Sequence, residues 1–350
     1  AASMQAVAHG SDSILYFQLR QSQGSSEKFH GAVIDHYGKD DTRVFREVTE
    51  VGESLEKLQE VTGAKNPAQV AVVYDWENRW AMEDAQGPRN KGLFYKETVE
   101  KSYYAFRKQG LNVDMIDMEQ DLDGYKVVAA PMLYMLRAGF EEKIRKYVEN
   151  GGTLIASFKT AFANENVKVS HEVQPHILSN CFGVHYDQFT FPKNVGLTGE
   201  IIPKKTDQKG NAHPAANVFM ELLVSEGAEV LASYEHYNWK DYAAITRNHY
   251  GKGQAVYIGC MTDEDTLKAV YKAVLPEAGV EIPKYHYPII VRKGTNDLGK
   301  TIRYFLNYCA VELEMPYEYK NGEELLENTS VEKGAALQMP AWGVKIVEEA

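Results

Sequence analysis

The chain has 350 residues, 44% hydrophobic and 25% charged, with a formal net charge of −11; that length suits two or three domains and that composition a globular protein. The acidic balance repels a nucleic-acid backbone, and no run approaches the roughly 20 apolar residues that span a bilayer, so neither partner is expected. The cysteines, Cys181, Cys260 and Cys309, are far apart and lack CxxC or Cys/His ligand spacing, which predicts reduced thiols in a cytoplasmic compartment and no structural metal.

The opening Ala1-Ala2-Ser3-Met4 is neither an initiator methionine nor a signal peptide, and is expected to be an internal starting point. Ser13–Leu19 (SILYFQL) is a short apolar and aromatic run of the kind that forms a strand buried on both faces in a parallel sheet or barrel. A polar loop, Arg20–Lys28, follows. From Thr42 to Leu58, the residues Val44, Phe45, Val48, Val51, Leu55 and Leu58 recur at helical spacing and predict an amphipathic helix. Gly63 to Pro67 reads as a linker.

A strand–helix alternation comes next: strand Gln69–Tyr74, helix Phe94–Gln109 closed by Gly110, strands Val113–Ile116 and Val127–Ala130, helix Phe140–Glu149, and strand Thr153–Ser157. This rhythm predicts right-handed crossovers and a mostly parallel sheet covered on both faces. Phe158–His213 has weak periodicity and reads as insertions over the sheet. Strands Val230–Ser233, Ala243–Arg247 and Ala255–Gly259 and a helix Glu264–Val274 complete this region. After Pro276 and Pro283 the period changes to two, in Thr301–Asn307, Val311–Met315 and Gly343–Val347, which predicts a small antiparallel β domain.

Few motifs carry chemistry. Gly251-Lys252-Gly253 precedes a strand, where a dinucleotide loop would follow one, so it predicts a turn between antiparallel strands. Cys260 stands between a strand and a helix, as a nucleophile would, but Gly259-Cys260-Met261-Thr262 lacks the frame of a nucleophile elbow; a buried small residue is expected. The bend after Val127–Ala130 carries Pro131-Met132 and no nucleophile. The parallel domain thus has a glutamine-amidotransferase-like architecture without that chemistry.

Two clusters have binding chemistry. Asp75-Trp76-Glu77-Asn78-Arg79-Trp80 follows the first strand of the parallel domain, at the end of a sheet where ligands bind. Its Trp residues and carboxylates suit either a sugar or a subunit interface, and Trp76, Glu77, Arg79 and Trp80 are taken as interface candidates. In the loop after Ser13–Leu19, Glu27-Lys28-Phe29-His30 joins a carboxylate and an imidazole, which hydrogen-bond sugar hydroxyls, to a ring that packs on a sugar face. On chemistry alone the alternative there is a satisfied, partly buried loop.

The runs Gln5–Asp12, Tyr16–Ser22, Glu27–Ala32 and Asp35-His36 closely resemble glycoside hydrolase family 42 β-galactosidases, and the resemblance continues through Asp75–Asn78, Asp121–Tyr134, Gly151–Leu154 and Phe305–Asn307. It covers essentially the whole chain, in order. What it implies is an α/β chain in three parts. Residues 1–62 would be the end of a (β/α)8 (TIM) barrel: strand eight, its loop and a helix. Residues 67–277 would be a Rossmann-like trimerisation domain, and 284–350 a small antiparallel β domain. It also implies a retaining mechanism with two carboxylates about 5–5.5 Å apart, both upstream of Ala1, so that this chain holds no catalytic residue, no cofactor and no metal. The positions matching sugar contacts are Glu27 and His30, with Phe29 and Lys28 beside them. Relatives often carry a cysteine near Ser25-Ser26; its absence leaves no thiol role in this loop. Asn164-Glu165 and Glu77-Asn78 resemble an acid/base pair but fall in the trimer domain and are rejected as catalytic. The expected partners are a β-galactoside and two further copies in a homotrimer. The rest of the barrel is expected from a separate chain, failing which residues 1 to ~60 would be disordered. The alternatives are an inert trimeric scaffold and a sugar-binding module built on Trp76 and Trp80.

Overall fold

Val70–Val73 is a run of small and β-branched residues, a pattern suited to a strand covered on both faces, and all four are buried. The computed structural model describes residues 1–85, 94–206, 212–213 and 215–350. Two compact units divide the chain: Ala68–Lys284, and Ala1–Pro67 together with Tyr285–Ala350.

In the unit Ala68–Lys284, Val70–Val73 pairs in parallel with Val113–Ile116 on one side and Val127–Ala130 on the other. Val127–Ala130 pairs in parallel with Thr153–Ser157, and that strand with Gly253–Ile258. The successive residues of Val70–Val73 feed different cores: Val70 and Val72 pack with Phe106 and Tyr271, Ala71 and Val73 with Phe140 and Ile144. Helices Tyr95–Arg107 and Glu264–Val274 are joined by Phe106 stacked on Tyr271 at 3.8 Å and by the Ser102 hydroxyl 2.6 Å from the Tyr271 phenol.

Beyond Gly253–Ile258 the sheet becomes antiparallel, through Ala243–Tyr250, Glu229–Glu235, Val195–Thr198 and Ala215–Ala216. Met220–Ser225 pairs with Ala243–Tyr250 and with Val184–Thr190. The stretch 158–213, expected as insertions over the sheet, therefore contributes strands Val184–Thr190 and Val195–Thr198 to it. Their pairing is non-local, which is why short-range periodicity does not reveal it. Gly251-Lys252-Gly253 is the predicted turn between antiparallel strands, with Gly251 at φ +61°. A Cβ on Gly253 would stand 2.2 Å from the Gly152 carbonyl oxygen, so backbone proximity requires glycine there.

The other unit is built on a five-stranded antiparallel sheet in the order Ile289–Thr295, Thr301–Asn307, Val344–Glu349, Gly322–Glu324, Thr329–Val331, with a separate pair Leu313–Pro316 and Ala336–Met339. Period-two patterning works on both faces of Thr301–Asn307. Ile302, Tyr304 and Leu306 pack against Met4, Ala8, Leu58 and Val61, while Phe305 packs against Tyr317 and Met339. The predicted amphipathic helix is Arg43–Glu56, capped by the Thr42 side chain, which accepts the Phe45 N–H.

Ser13–Leu19 departs from expectation, since among the described residues it forms no strand. Its surroundings offer one isolated parallel bridge, Arg20 to Ile34, and Leu15, Phe17 and Leu19 are 92%, 71% and 69% exposed. An apolar run becomes a strand only where neighbours satisfy its N–H and C=O groups.

Candidate functional site

The loop after Leu19 is held at its base by backbone bonds. The N–H groups of Val33 and Ile34 donate to the carbonyls of Gln18 and Leu19 at 2.9 and 2.7 Å, and Gln21 N–H donates to Ile34 at 2.9 Å. The Gln21 amide then bridges the loop. Its nitrogen donates to the His30 carbonyl at 2.7 Å and its oxygen accepts the His36 N–H at 3.1 Å. His36 Nε2 reaches the Ser22 carbonyl at 2.7 Å. At the tip, the His30 N–H donates to the Glu27 carbonyl at 2.9 Å, closing a tight turn.

This geometry brings Glu27, Lys28, Phe29 and His30 onto one turn with all four exposed. Phe29 is 80% exposed, and the Lys28 ammonium lies 5.6 Å from its ring centroid. The arrangement presents an acceptor, an imidazole and an aromatic face together, the set that grips a polyhydroxylated ring. The returning limb, Gly31 to Val33, lines a cavity of about 630 Å³ together with Tyr16, Phe17 and Val44.

The second cluster divides by burial. Asp75 is fully buried and starts the helix Trp76–Asp84, accepting the Asn78 N–H at 3.0 Å. Its other oxygen lies 3.0 Å from Arg137 Nε and accepts the Met118 N–H at 3.4 Å. The helix was unread in the sequence, although Asp75 is a good N-cap. The buried Asn78 amide accepts the Met135 N–H and donates to the Met132 carbonyl, so it ties this helix to the bend after Val127–Ala130. Glu77 Oε2 stands 3.6 Å from Arg137. Outward, Trp76 and Trp80 are 53% and 60% exposed with ring centroids 6.3 Å apart, and the Arg79 guanidinium lies 5.0 Å from the Trp76 ring.

Cys260 is buried, and burial pushes its thiol up to about 12, far from a thiolate at neutral pH. Among the described residues, no group of three or more His, Cys, Asp or Glu side chains could hold a metal ion, and no helix is long and apolar enough to cross a membrane. Sequence reading missed a buried carboxylate and lysine, Glu221 and Lys159; the signal was a lone acid inside the apolar run Met220–Ser225.

A family model described as the β-galactosidase trimerisation domain matches residues 68–281, and one described as β-galactosidase matches residues 1–58. The chain is 39% identical to β-galactosidase Pbg of Clostridium perfringens, over 99% of this chain and 50% of that protein. It is also 39% identical to β-galactosidase BglY of Alicyclobacillus acidocaldarius, with the same coverage of each. Among solved structures, the β-galactosidase from Bacillus circulans sp. alkalophilus superposes with a TM-score of 0.90 at 35% identity, over 100% of this chain and 51% of that one. The enzyme from Rahnella sp. R3 gives 0.87 at 34%, over 99% and 50%. The chain spans about half the length of the curated relatives it matches.

Proposed function

The chain belongs to the glycoside hydrolase family 42 β-galactosidases, corresponding to their C-terminal part, and from that premise we propose that it forms one side of the galactose pocket and the subunit contacts of a retaining β-galactosidase. Such an enzyme hydrolyses terminal β-D-galactosides with two carboxylates, one acid/base and one nucleophile. In this reading both stand outside residues 1–350, and Glu27 and His30 bind substrate without acting as acid or base.

The observation that carries the reading is the pinned loop. Backbone bonds and the Gln21 amide fix its two limbs, so the exposed Glu27, Phe29 and His30 are presented from a defined base. Binding residues placed this way lose less freedom when a sugar docks. Trp76, Arg79 and Trp80, with Glu77 beside them, are the surface we assign to contacts between copies in a homotrimer; exposed Trp and Arg are the side chains that interfaces enrich. The free thiols of Cys181, Cys260 and Cys309 support a reducing, cytoplasmic setting. Relatives that are hydrolases weigh against an inert scaffold.

The test uses the complete enzyme. Glu27→Gln and His30→Ala are expected to raise KM for nitrophenyl galactoside on the order of tenfold each, the loss of one or two hydrogen bonds to the sugar. Unchanged KM in both variants would remove this loop from the pocket.

A further inference from the structure

Glu221, on the strand Met220–Ser225, has no exposed surface. One carboxyl oxygen accepts the Lys159 backbone N–H at 2.8 Å and the other accepts the Tyr257 phenol at 2.9 Å. Lys159 lies just beyond the central parallel strand Thr153–Ser157 and is itself buried. Its ammonium stands over the rings of Phe219 and Tyr134, at 5.3 and 5.9 Å. Among the described residues, the other titratable groups facing the carboxyl are Tyr257 from Gly253–Ile258, Tyr234 from Glu229–Glu235, Tyr186 from Val184–Thr190, and Cys260. All four are neutral near pH 7, so Lys159 supplies the positive charge that faces it.

The bend that donates to Glu221 is the element able to yield. Lys159 and Ala161 both hold φ near +60°, a left-handed conformation that costs a residue with a side chain free energy to keep. Met220–Ser225 and Gly253–Ile258 are each paired with strands on both sides. The bend runs outside any strand ladder, held by single bonds from the Phe158, Ala161 and Ala163 N–H groups to the Ile258, Leu133 and Tyr134 carbonyls and by isolated bridges where Ala163 meets Met135 and Val169.

We propose that Glu221 is a proton-operated latch on the bend Phe158–Ala163: the bend stays shut over the neutral carboxyl and opens towards water when the carboxyl ionises. An ionised carboxylate with no exposed surface gains its full hydration only if something moves aside, and relaxing two left-handed residues favours movement there. Burial pushes the Glu221 carboxyl up to about 7, which puts the transition near neutrality.

Hydrogen exchange on the complete polypeptide tests this, reading the amides of 158–163 between about pH 5.5 and pH 8.5 after correction for intrinsic exchange. The opening constant is expected to rise on the order of tenfold across neutrality in the wild type, and to stay flat in Glu221→Gln. The strand Thr301–Asn307 is the internal control and should show no such rise. Should Glu221→Gln not fold, Tyr257→Phe withdraws one donor from the carboxylate and should move the midpoint of the rise upward. A flat wild-type profile, an undiminished rise in Glu221→Gln, or an unmoved midpoint in Tyr257→Phe overturns the latch.

Discussion

Asp75 and Glu221 are both buried carboxylates, and their partners give them opposite parts. Asp75 faces the Arg137 guanidinium at 3.0 Å and receives two backbone N–H groups. Asp75→Ala removes a helix cap and leaves Arg137 without that partner; a loss of about 3 kcal/mol is expected by denaturant titration, and more than half should return in Asp75→Asn, which keeps the cap. Glu221 faces two neutral donors and a more distant ammonium. Burial raises its folded-state pKa from 4.5 to about 7, so folding favours the protonated form. The stability it contributes is complete below about pH 4.5 and is lost as pH rises through about 7, on the order of 3 kcal/mol in all. Melting curves of Glu221→Gln should lack that fall and cross above the wild type at alkaline pH. Neither environment was legible along the chain. Asp75 sits in a visibly polar cluster but Glu221 in an apolar strand, and desolvation depends on what folds around each.

The strand–turn–strand Ala243–Tyr250 to Gly253–Ile258 was readable because its cue is local, a Gly-Lys-Gly tripeptide between two apolar runs. Its tightness was not. A Cβ on Gly253 meets the carbonyl oxygens of Gly152 and Val148 at 2.2 and 2.4 Å, both backbone atoms that cannot swing away. Gly253→Ala should therefore cost about 2–3 kcal/mol, measured by urea unfolding. Gly299→Ala serves as the comparison, since nothing lies within 4 Å of a Cβ there and its φ of +77° alone sets the cost. The run Ser13–Leu19 shows the opposite failure of local reading. Its composition is that of a barrel strand, yet a strand is a relation between segments, and here only Arg20 and Ile34 form a bridge.

At the scale of the molecule, residues 1–67 share a compact unit with residues 285–350. Met4, Ala8, Leu58 and Val61 cover Ile302, Tyr304 and Leu306. Deleting 1–67 should then expose that face of the antiparallel sheet and drive aggregation, read by light scattering, instead of leaving a soluble trimer. The 350-residue chain itself, rigorously purified, is expected to give a threefold mass by light scattering and no turnover of nitrophenyl galactoside. A monomer at micromolar concentration would count against the subunit surface at Trp76 and Trp80, and turnover above buffer would place a catalytic pair within residues 1–350. The double variant Trp76→Asp, Trp80→Asp should shift the mass towards the monomer.

By itself the sequence determined what short-range periodicity encodes. Helices Phe140–Glu149 and Glu264–Val274 and strand Thr301–Asn307 lie where their patterns predict, because a helix or a strand face repeats within a few residues. Motif order along the chain was enough to identify the family. The tertiary structure alone decided which segments lie side by side: Val184–Thr190 and Val195–Thr198 joining the sheet, the first residues packing on the last, and Ser13–Leu19 remaining without strand partners. It also decided which polar groups lose water, turning the unremarked Lys159 and Glu221 into a buried pair. Sheet pairing and desolvation are set by residues distant in sequence, so no window along the chain contains them.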